Sequence, residues 1–290
     1  VMIGLTWRRY ITQMIENNVN AIAIPTDVSS LSDTELMKLT GQLDNSNPEG
    51  SVLSRLSINY QTEDENDNPL PRGQFKLKVD GDAVYSKIAT FRPFIRMFAY
   101  SYWDNNDEVF TSSVQRPSLG DQFPDSNGAY KCGKLSREEL ESLADGDPQR
   151  VIQSSIKCNQ VMYGVVDMEG KKADGKDVSL KQIPCVLYAK GVNYIPMSTT
   201  LKSLATQKKP MIRNNLLLST KKQKSGGNTF FAIDIKIGES VAMSEQDTDL
   251  LKEFAAVTKS VNEGVMEKHR IAVKQQTKNG DHSLAIELDE

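Results

Sequence analysis

The sequence predicts a mainly β protein with added helices (α+β), in which antiparallel strands form a barrel or sandwich between two helical ends. Three observations carry this prediction. The central region has short β-branched or alternating runs separated by Gly, Asn, Asp and Pro. The regions on either side repeat apolar residues at helical spacing. At 290 residues, of which 38% are hydrophobic, the chain is long enough to bury a sizeable core.

We expect three parts along the chain. Residues 1–50 form a helical N-terminal segment, since apolar residues recur at helical spacing from Trp7 and Ser32 precedes a second short helix. Residues 51–240 form the barrel domain, and residues 241–290 form an amphipathic helix followed by an acidic end.

Eight strands are predicted within the barrel domain. Turn residues at Asn105-Asn106 and from Ser225 to Asn228 supply the positive φ that tight hairpins need. The expected strands lie near 75–79, 83–90, 92–103, 108–115, 159–168, 184–190, 214–221 and 229–237. A helix is expected to be inserted near 135–156, and one short helical turn is expected from Met197 to Gln207.

The C-terminal helix has a clear start and one apolar stripe. Ser244 and Asp247 have the spacing of a capping box. The stripe consists of Leu250, Phe254, Val257, Val261 and Val265. Such a stripe packs on the barrel by default, while contact with a second copy of the chain or with a replication protein remains an alternative.

Composition predicts a non-secreted, cytoplasmic protein. The three cysteines are an odd number and widely spaced, which fits thiols in a reducing compartment. No apolar run is long enough for a membrane helix, and the first residues lack the pattern of a signal peptide. The formal net charge of −3 excludes nothing by itself, so the distribution of charge has to identify a partner.

The run from Phe91 to Trp103 is predicted to be a strand whose faces differ in chemistry. Because side chains alternate along a strand, Ile95, Met97 and Ala99 share one face, which resembles an ordinary core. The other face interleaves guanidinium groups with rings: Arg92, Phe94, Arg96, Phe98, Tyr100 and Tyr102. Single-stranded nucleic acid favours this combination, because bases stack on rings while cations neutralise phosphates.

Two alternatives stay open for this strand. In one, Phe94 and Phe98 pack beneath helical segments and the arginines pair with acidic loops. In the other, a bulge at Pro93 exchanges the two faces of the strand.

A second feature is an acid-free window from Val178 to Ile233. It contains no Asp or Glu and has nine cations: Lys181, Lys190, Lys202, Lys208, Lys209, Arg213, Lys221, Lys222 and Lys224. This asymmetry predicts a surface that attracts a polyanion. Lysines at the predicted hairpin also protect a sheet edge, which is the alternative reading of that turn.

Residue types argue against catalysis. His269 and His282 are the two histidines, and both lie in the polar C-terminal region without a nearby nucleophile, so a hydrolytic triad is not expected. The cysteines form no Cys-x-x-Cys pair for zinc. No glycine-rich phosphate loop occurs, and we therefore expect neither a metal nor a cofactor.

Three runs resemble those of bacteriophage single-stranded DNA-binding proteins: Pro184 to Gly191, Leu201 to Pro210 and Leu216 to Phe231. The likeness covers residues 75 to 237 in strand order and style. It implies an OB-like antiparallel barrel whose basic, aromatic groove binds single strands without sequence preference. The nucleic-acid-binding residues would then be Arg92, Phe94, Arg96, Phe98, Tyr100, Tyr102, Tyr188, Lys190, Lys208, Lys209, Arg213, Lys221, Lys222 and Lys224.

The expected role is protection of single-stranded DNA during phage replication or recombination in the host cytoplasm, without catalytic turnover. The acidic C-terminal end would recruit replication proteins or compete with DNA. Two rival hypotheses remain. The chain could be a structural or assembly protein of a virion that forms an ordered oligomer, or an accessory subunit of a nucleic-acid enzyme.

Overall fold

The computed structural model describes residues 53–64, 67–104 and 108–278. Contacts divide the chain into two units, Val1–Gly50 and Ser51–Glu290. The helices expected over 1–50, the turn at Asn105-Asn106 and the acidic end all lie outside the described residues.

Nine strands and four helices form in the described part of the chain. The strands are β1 (Ser54–Ile58), β2 (Phe75–Val79), β3 (Asp82–Ser86), β4 (Ile88–Asp104), β5 (Val109–Ser112), β6 (Lys157–Lys172), β7 (Asp177–Ala189), β8 (Asn214–Ser225) and β9 (Asn228–Ser240). The helices are α1 (Arg137–Ser142), α2 (Pro148–Ser155), α3 (Tyr194–Thr206) and α4 (Glu245–Lys278). This architecture confirms the α+β class, and none of the helices described is long and apolar enough to cross a membrane.

Five strands close into a barrel. Their order is β3-β2-β1-β7-β6, and β6 returns to pair with β3. Four of the five pairings are antiparallel, but β1 and β7 run parallel. The predicted strands did not include β1, so its parallel pairing with β7 was not expected.

Strand β4 carries the chain out of the barrel into a second part of the sheet. Strands β3 and β4 pair with the same edge of β6, one after the other. The other edge of β3 pairs with β2, whereas the other edge of β4 pairs with β8. Where β3 ends and β4 begins, the hydroxyl of Ser86 donates a hydrogen bond of 2.6 Å to the carbonyl oxygen of Glu169 on β6. The β8–β9 hairpin and β5 extend the sheet beyond the barrel.

Two apolar cores lie on opposite faces of β6. Met162 belongs to the core inside the barrel, and its neighbours Val161 and Tyr163 belong to the second core. Helix α3 contributes Met197, Leu201 and Leu204 to the first core. Helix α4 contributes Phe254 to the second, where it is fully buried. The predicted packing of the C-terminal stripe on the barrel domain is thus confirmed for α4.

The region near 135–156 contains two helices instead of the single inserted helix that we predicted. Helix α1 begins at a capping box formed by Ser136 and Glu139. Asp147 then caps α2, whose first residue is Pro148. Proline is favoured at the first helical position and disfavours helix before it, so the chain ends one helix and starts another.

Candidate nucleic-acid interface

A bulge in β4 decides which side chains share a face. The pairing of β4 with β6 shifts register between Pro93 and Ile95, so that Phe94 is the extra residue. Simple alternation predicted that Arg92 and Arg96 share a face. Because of the extra residue, they lie on opposite faces. The alternative that a bulge at Pro93 exchanges faces describes this strand correctly.

Arg92 is buried and does not lie on an exposed binding face. Its side chain is 5% exposed and forms an ion pair with Asp247 at the start of α4. It also donates a hydrogen bond of 3.1 Å to Gln182. The prediction of Arg92 as a surface contact was wrong, because the charge is already neutralised by a carboxylate.

Phe94 and Phe98 are likewise buried, at 4% and 7% exposure. Phe94 packs edge-to-face on Phe254 of α4, with ring centres 5.4 Å apart. Phe98 lies beneath the guanidinium of Arg96, whose central carbon is 4.5 Å from the ring centre. Neither ring is presented to solvent as a stacking platform, so these two predicted contacts were wrong, and Phe94 follows the core-packing alternative.

The remaining predicted residues of β4 are partly exposed and meet two side chains from elsewhere. Arg96, Tyr100 and Tyr102 follow the bulge on one face, where Tyr100 is paired across the ladder with Cys158 of β6. Two side chains from outside the sheet lie beside these residues. One is Lys131, whose ammonium is 6.0 Å from the centre of the Tyr100 ring, and the other is Tyr194 at the start of α3. We call Arg96, Tyr100, Lys131, Cys158 and Tyr194 the Arg96 cluster.

The electrostatics of the Arg96 cluster favour an anion. Neither Arg96 nor Lys131 forms an ion pair with a carboxylate in the described parts of the chain. Burial lowers the pKa of Arg96 and raises the pKa of Tyr100 to about 12. The phenol therefore remains a hydrogen-bond donor at neutral pH, beside a guanidinium that has lost part of its water.

Lys131 is held in position by an unusual turn. Lys131 and Cys132 adopt positive φ values of 53° and 57°, which non-glycine residues rarely do. The buried carboxylate of Asp125 accepts hydrogen bonds from the backbone N–H groups of Asn127, Ala129 and Cys132 at 2.8–3.1 Å. Strain of this kind concentrates at functional sites. Lys131 is not among the residues predicted from the sequence, where its only local signal is a lysine between Gly128 and Gly133 in a loop.

The lysines of the β8–β9 hairpin are exposed, but they are not equivalent. Lys221 forms an ion pair of 2.7 Å with Asp234, whereas Lys222 and Lys224 form no ion pair among the described residues. Lys222 lies directly opposite Phe231 on β9. The Phe231 ring meets that of Tyr60, a residue 48% exposed, with ring centres 6.1 Å apart. Cations and rings thus adjoin at the hairpin as well.

A hydrogen bond connects the hairpin to the segment that carries Tyr194. The side-chain oxygen of Asn193 accepts a hydrogen bond of 2.7 Å from the backbone N–H of Ile233 on β9. Tyr194 follows Asn193 directly, and Ile233 lies two residues beyond Phe231. The structure therefore brings β9 of the lysine hairpin into contact with Asn193, the residue before Tyr194 of the Arg96 cluster.

The other predicted residues lie elsewhere. Tyr188 packs against the second core, on the face of the sheet opposite to Met162, with the guanidinium of Arg55 4.7 Å from its ring centre. Partial burial and the nearby Arg55 lower the pKa of Lys190, which places this cation with Arg55.

Three further predicted cations, Lys208, Lys209 and Arg213, are exposed and follow the C-terminal end of α3. Tyr194 begins this helix of 13 residues, which is about 18 Å long. The chain then turns back through Met211–Arg213, which contacts β4, so the helix does not separate Arg213 from the strand that carries Arg96.

Across residues 53–64, 67–104 and 108–278, no three His, Cys, Asp or Glu side chains come close enough to hold a metal ion. Burial raises the pKa of each cysteine thiol, which disfavours a nucleophilic thiolate. No protein-family model, curated protein or solved structure matches the chain.

Proposed function

We propose that the protein binds single-stranded DNA without sequence preference and protects it during phage replication or recombination. The observation that carries the proposal is the Arg96 cluster, in which partly exposed rings surround cations that have no carboxylate partner among the described residues. Binding would combine base stacking with the release of counterions from phosphates.

The arrangement of rings favours an unpaired strand over a duplex. Tyr100 and Tyr102 lie on one strand face two residues apart, at partly exposed positions. A ring in such a position meets the flat face of a base, which stacking hides inside a duplex. Because every base has such a face, stacking gives little sequence preference.

The lysine hairpin extends the same chemistry. Lys222 and Lys224 add two cations without ion-pair partners among the described residues, beside Phe231 and Tyr60. Ile233 of this hairpin contacts Asn193, which precedes Tyr194 of the Arg96 cluster. A flexible single strand that follows this path would meet rings and cations in alternation.

The closed five-stranded barrel is compatible with an OB-like fold. OB-folds bind single strands on a strand face and its adjoining loops. The resemblance of residues 75 to 237 to phage single-stranded DNA-binding proteins favours the same proposal.

A fluorescence titration with oligo-dT at two salt concentrations tests the function. We expect tight binding at low salt that weakens steeply as salt rises, together with weaker binding to a duplex of equal length. Absence of binding at low salt, or an affinity independent of salt, would contradict the proposal. The matched RNA oligonucleotide in the same titration measures the preference between DNA and RNA.

Two controls address the rival hypotheses. A stable, ordered oligomer without DNA in a size measurement would favour a virion structural protein. Metal-dependent degradation of a labelled oligonucleotide would favour an accessory subunit of a nucleic-acid enzyme. The proposed function predicts that neither is observed.

A further inference from the structure

We propose that the Arg96 cluster is a discrete pocket for one phosphate group and that it binds a backbone phosphate of the DNA strand. This inference rests on the proposed function and names the chemistry at one point of that site. It differs from diffuse attraction to a basic surface, because it assigns one phosphate to a small set of donors.

The state of Arg96 is the first reason. Its guanidinium stacks on Phe98, and its Nε is buried without a hydrogen-bond partner, as is the Nε of Arg92. Arg92 on the same strand offers a direct comparison, since Asp247 and Gln182 bind its guanidinium. A partly buried cation needs a compensating anion. Arg92 has one within the chain, and Arg96 has none among the described residues, so a ligand is the natural source.

The second reason is the set of donors around Arg96. Tyr194 lies near enough to Arg96 and Cys158 to interact electrostatically with both. Tyr100 also interacts with Cys158 and Tyr194, and the Lys131 ammonium lies over its ring. Burial raises the pKa of both phenols, so both carry their protons at neutral pH. Guanidinium, ammonium and phenol groups suit the several acceptor oxygens of a phosphate.

The third reason is that the backbone at Lys131 is held in one conformation before any ligand binds. Its turn is held by three hydrogen bonds to the carboxylate of Asp125. A hydrogen bond of 2.9 Å between His269 of α4 and the carbonyl oxygen of Asp125 adds a further constraint. A preorganised donor loses less freedom on binding than a flexible surface lysine. The positive φ of Lys131 is explained if its position serves a ligand.

The test compares the full chain with its Arg96→Met and Arg137→Met variants. Both changes remove one guanidinium, but Arg137 lies exposed on α1 and pairs with Glu141. The probes are oligo-dT, an abasic oligonucleotide of equal length, and inorganic pyrophosphate. Oligonucleotide affinity is measured over a range of salt, and pyrophosphate binding is measured by the shift in melting temperature against sodium chloride of equal ionic strength.

For Arg96→Met we expect about tenfold weaker binding of both oligonucleotides and a salt slope smaller by about 0.7, the value for one phosphate of a single strand. Pyrophosphate should raise the melting temperature of the wild type and of Arg137→Met, but not of Arg96→Met. Equal affinities, slopes and pyrophosphate shifts in the three proteins would overturn the pocket while leaving strand binding intact.

The outcomes also separate the pocket from the proposed function. Suppose that oligo-dT does not bind the wild type but pyrophosphate stabilises it through Arg96. The pocket would then bind a free phosphate ligand, and the proposal of DNA binding would be wrong. If Arg96→Met does not fold, Lys131→Met and Tyr194→Phe replace it. Each of these should weaken oligonucleotide and pyrophosphate binding, and unchanged binding in both would overturn the pocket.

Discussion

The guanidinium of Arg92 contacts both carboxylate oxygens of Asp247, which lies 155 residues further along the chain, and both side chains are 5% exposed. Asp247 also forms the capping box of α4 with Ser244. One carboxylate thus starts the last helix and fixes that helix to β4 of the sheet.

Breaking this ion pair should strongly destabilise the protein. We expect Arg92→Met or Asp247→Leu alone to lower the free energy of unfolding by about 3–5 kcal/mol, because each leaves a buried charge without a partner. The double variant should recover much of this loss. Urea unfolding followed by circular dichroism measures all three, and Arg137→Met, which breaks an exposed pair with Glu141, serves as the control. Single variants as stable as that control would contradict the prediction.

The same carboxylate predicts a pH dependence. Burial by itself raises the pKa of Asp247, but hydrogen bonds from Arg92 and Ser244 outweigh it and leave the pKa below its ordinary value. The folded state therefore binds fewer protons than the unfolded state, so this stabilisation is present at neutral pH. It is lost as pH falls below about 4 and through the depressed pKa. Melting temperatures of wild type and Asp247→Asn across acidic pH should converge; parallel curves would contradict this.

Phe98 and Tyr102 should respond differently to truncation, although both were predicted as stacking residues. Phe98→Ala empties a buried position and should cost about 3–5 kcal/mol of stability. Tyr102→Ala, at a partly exposed position, should change stability much less and weaken oligo-dT binding by about 1–3 kcal/mol. Unfolding curves and fluorescence titrations provide the two readouts. A stable Phe98→Ala protein with selectively weakened binding would show that Phe98 stacks on DNA.

Two hairpin lysines should carry most of the hairpin's contribution to salt dependence. Replacing Lys222 and Lys224 together by Gln should reduce the salt slope of oligo-dT binding by about 1.4, or 0.7 for each phosphate. Lys221→Gln should reduce it less, because Asp234 already pairs with that ammonium. Titrations at several salt concentrations measure the slopes. No change in the double variant would mean that the hairpin does not touch phosphate.

Gly73 should tolerate alanine far less than Gly81 does. Both have positive φ, at 83° and 89°, so alanine strains both by about 1 kcal/mol. A Cβ at Gly73 would also lie 2.3 Å from the Phe231 ring, whereas nothing lies within 4 Å at Gly81. We expect an additional loss of about 1–3 kcal/mol at Gly73 and weaker oligo-dT binding, since the β8–β9 hairpin must move. Similar unfolding energies for the two variants would show that Phe231 rearranges freely.

Local patterns were sufficient for many elements. The alternating runs located most strands, and Ser244 with Asp247 located the start of α4, because hydrogen bonds between near neighbours set these features. Pro148 begins the second of the two helices in the inserted region, where a single helix was predicted. The aromatic and cationic character of β4 was also visible before its surroundings were known.

The sequence by itself determined the α+β class, the capped C-terminal helix and the acid-free stretch of cations, since composition and nearest-neighbour geometry are written along the chain. The tertiary structure alone decided that Arg92 pairs with Asp247, that Arg96 has no such partner among the described residues, and that Lys131 and Tyr194 join it. One extra residue at a bulge changes which side chains share a face, and burial depends on elements that pack from far along the chain.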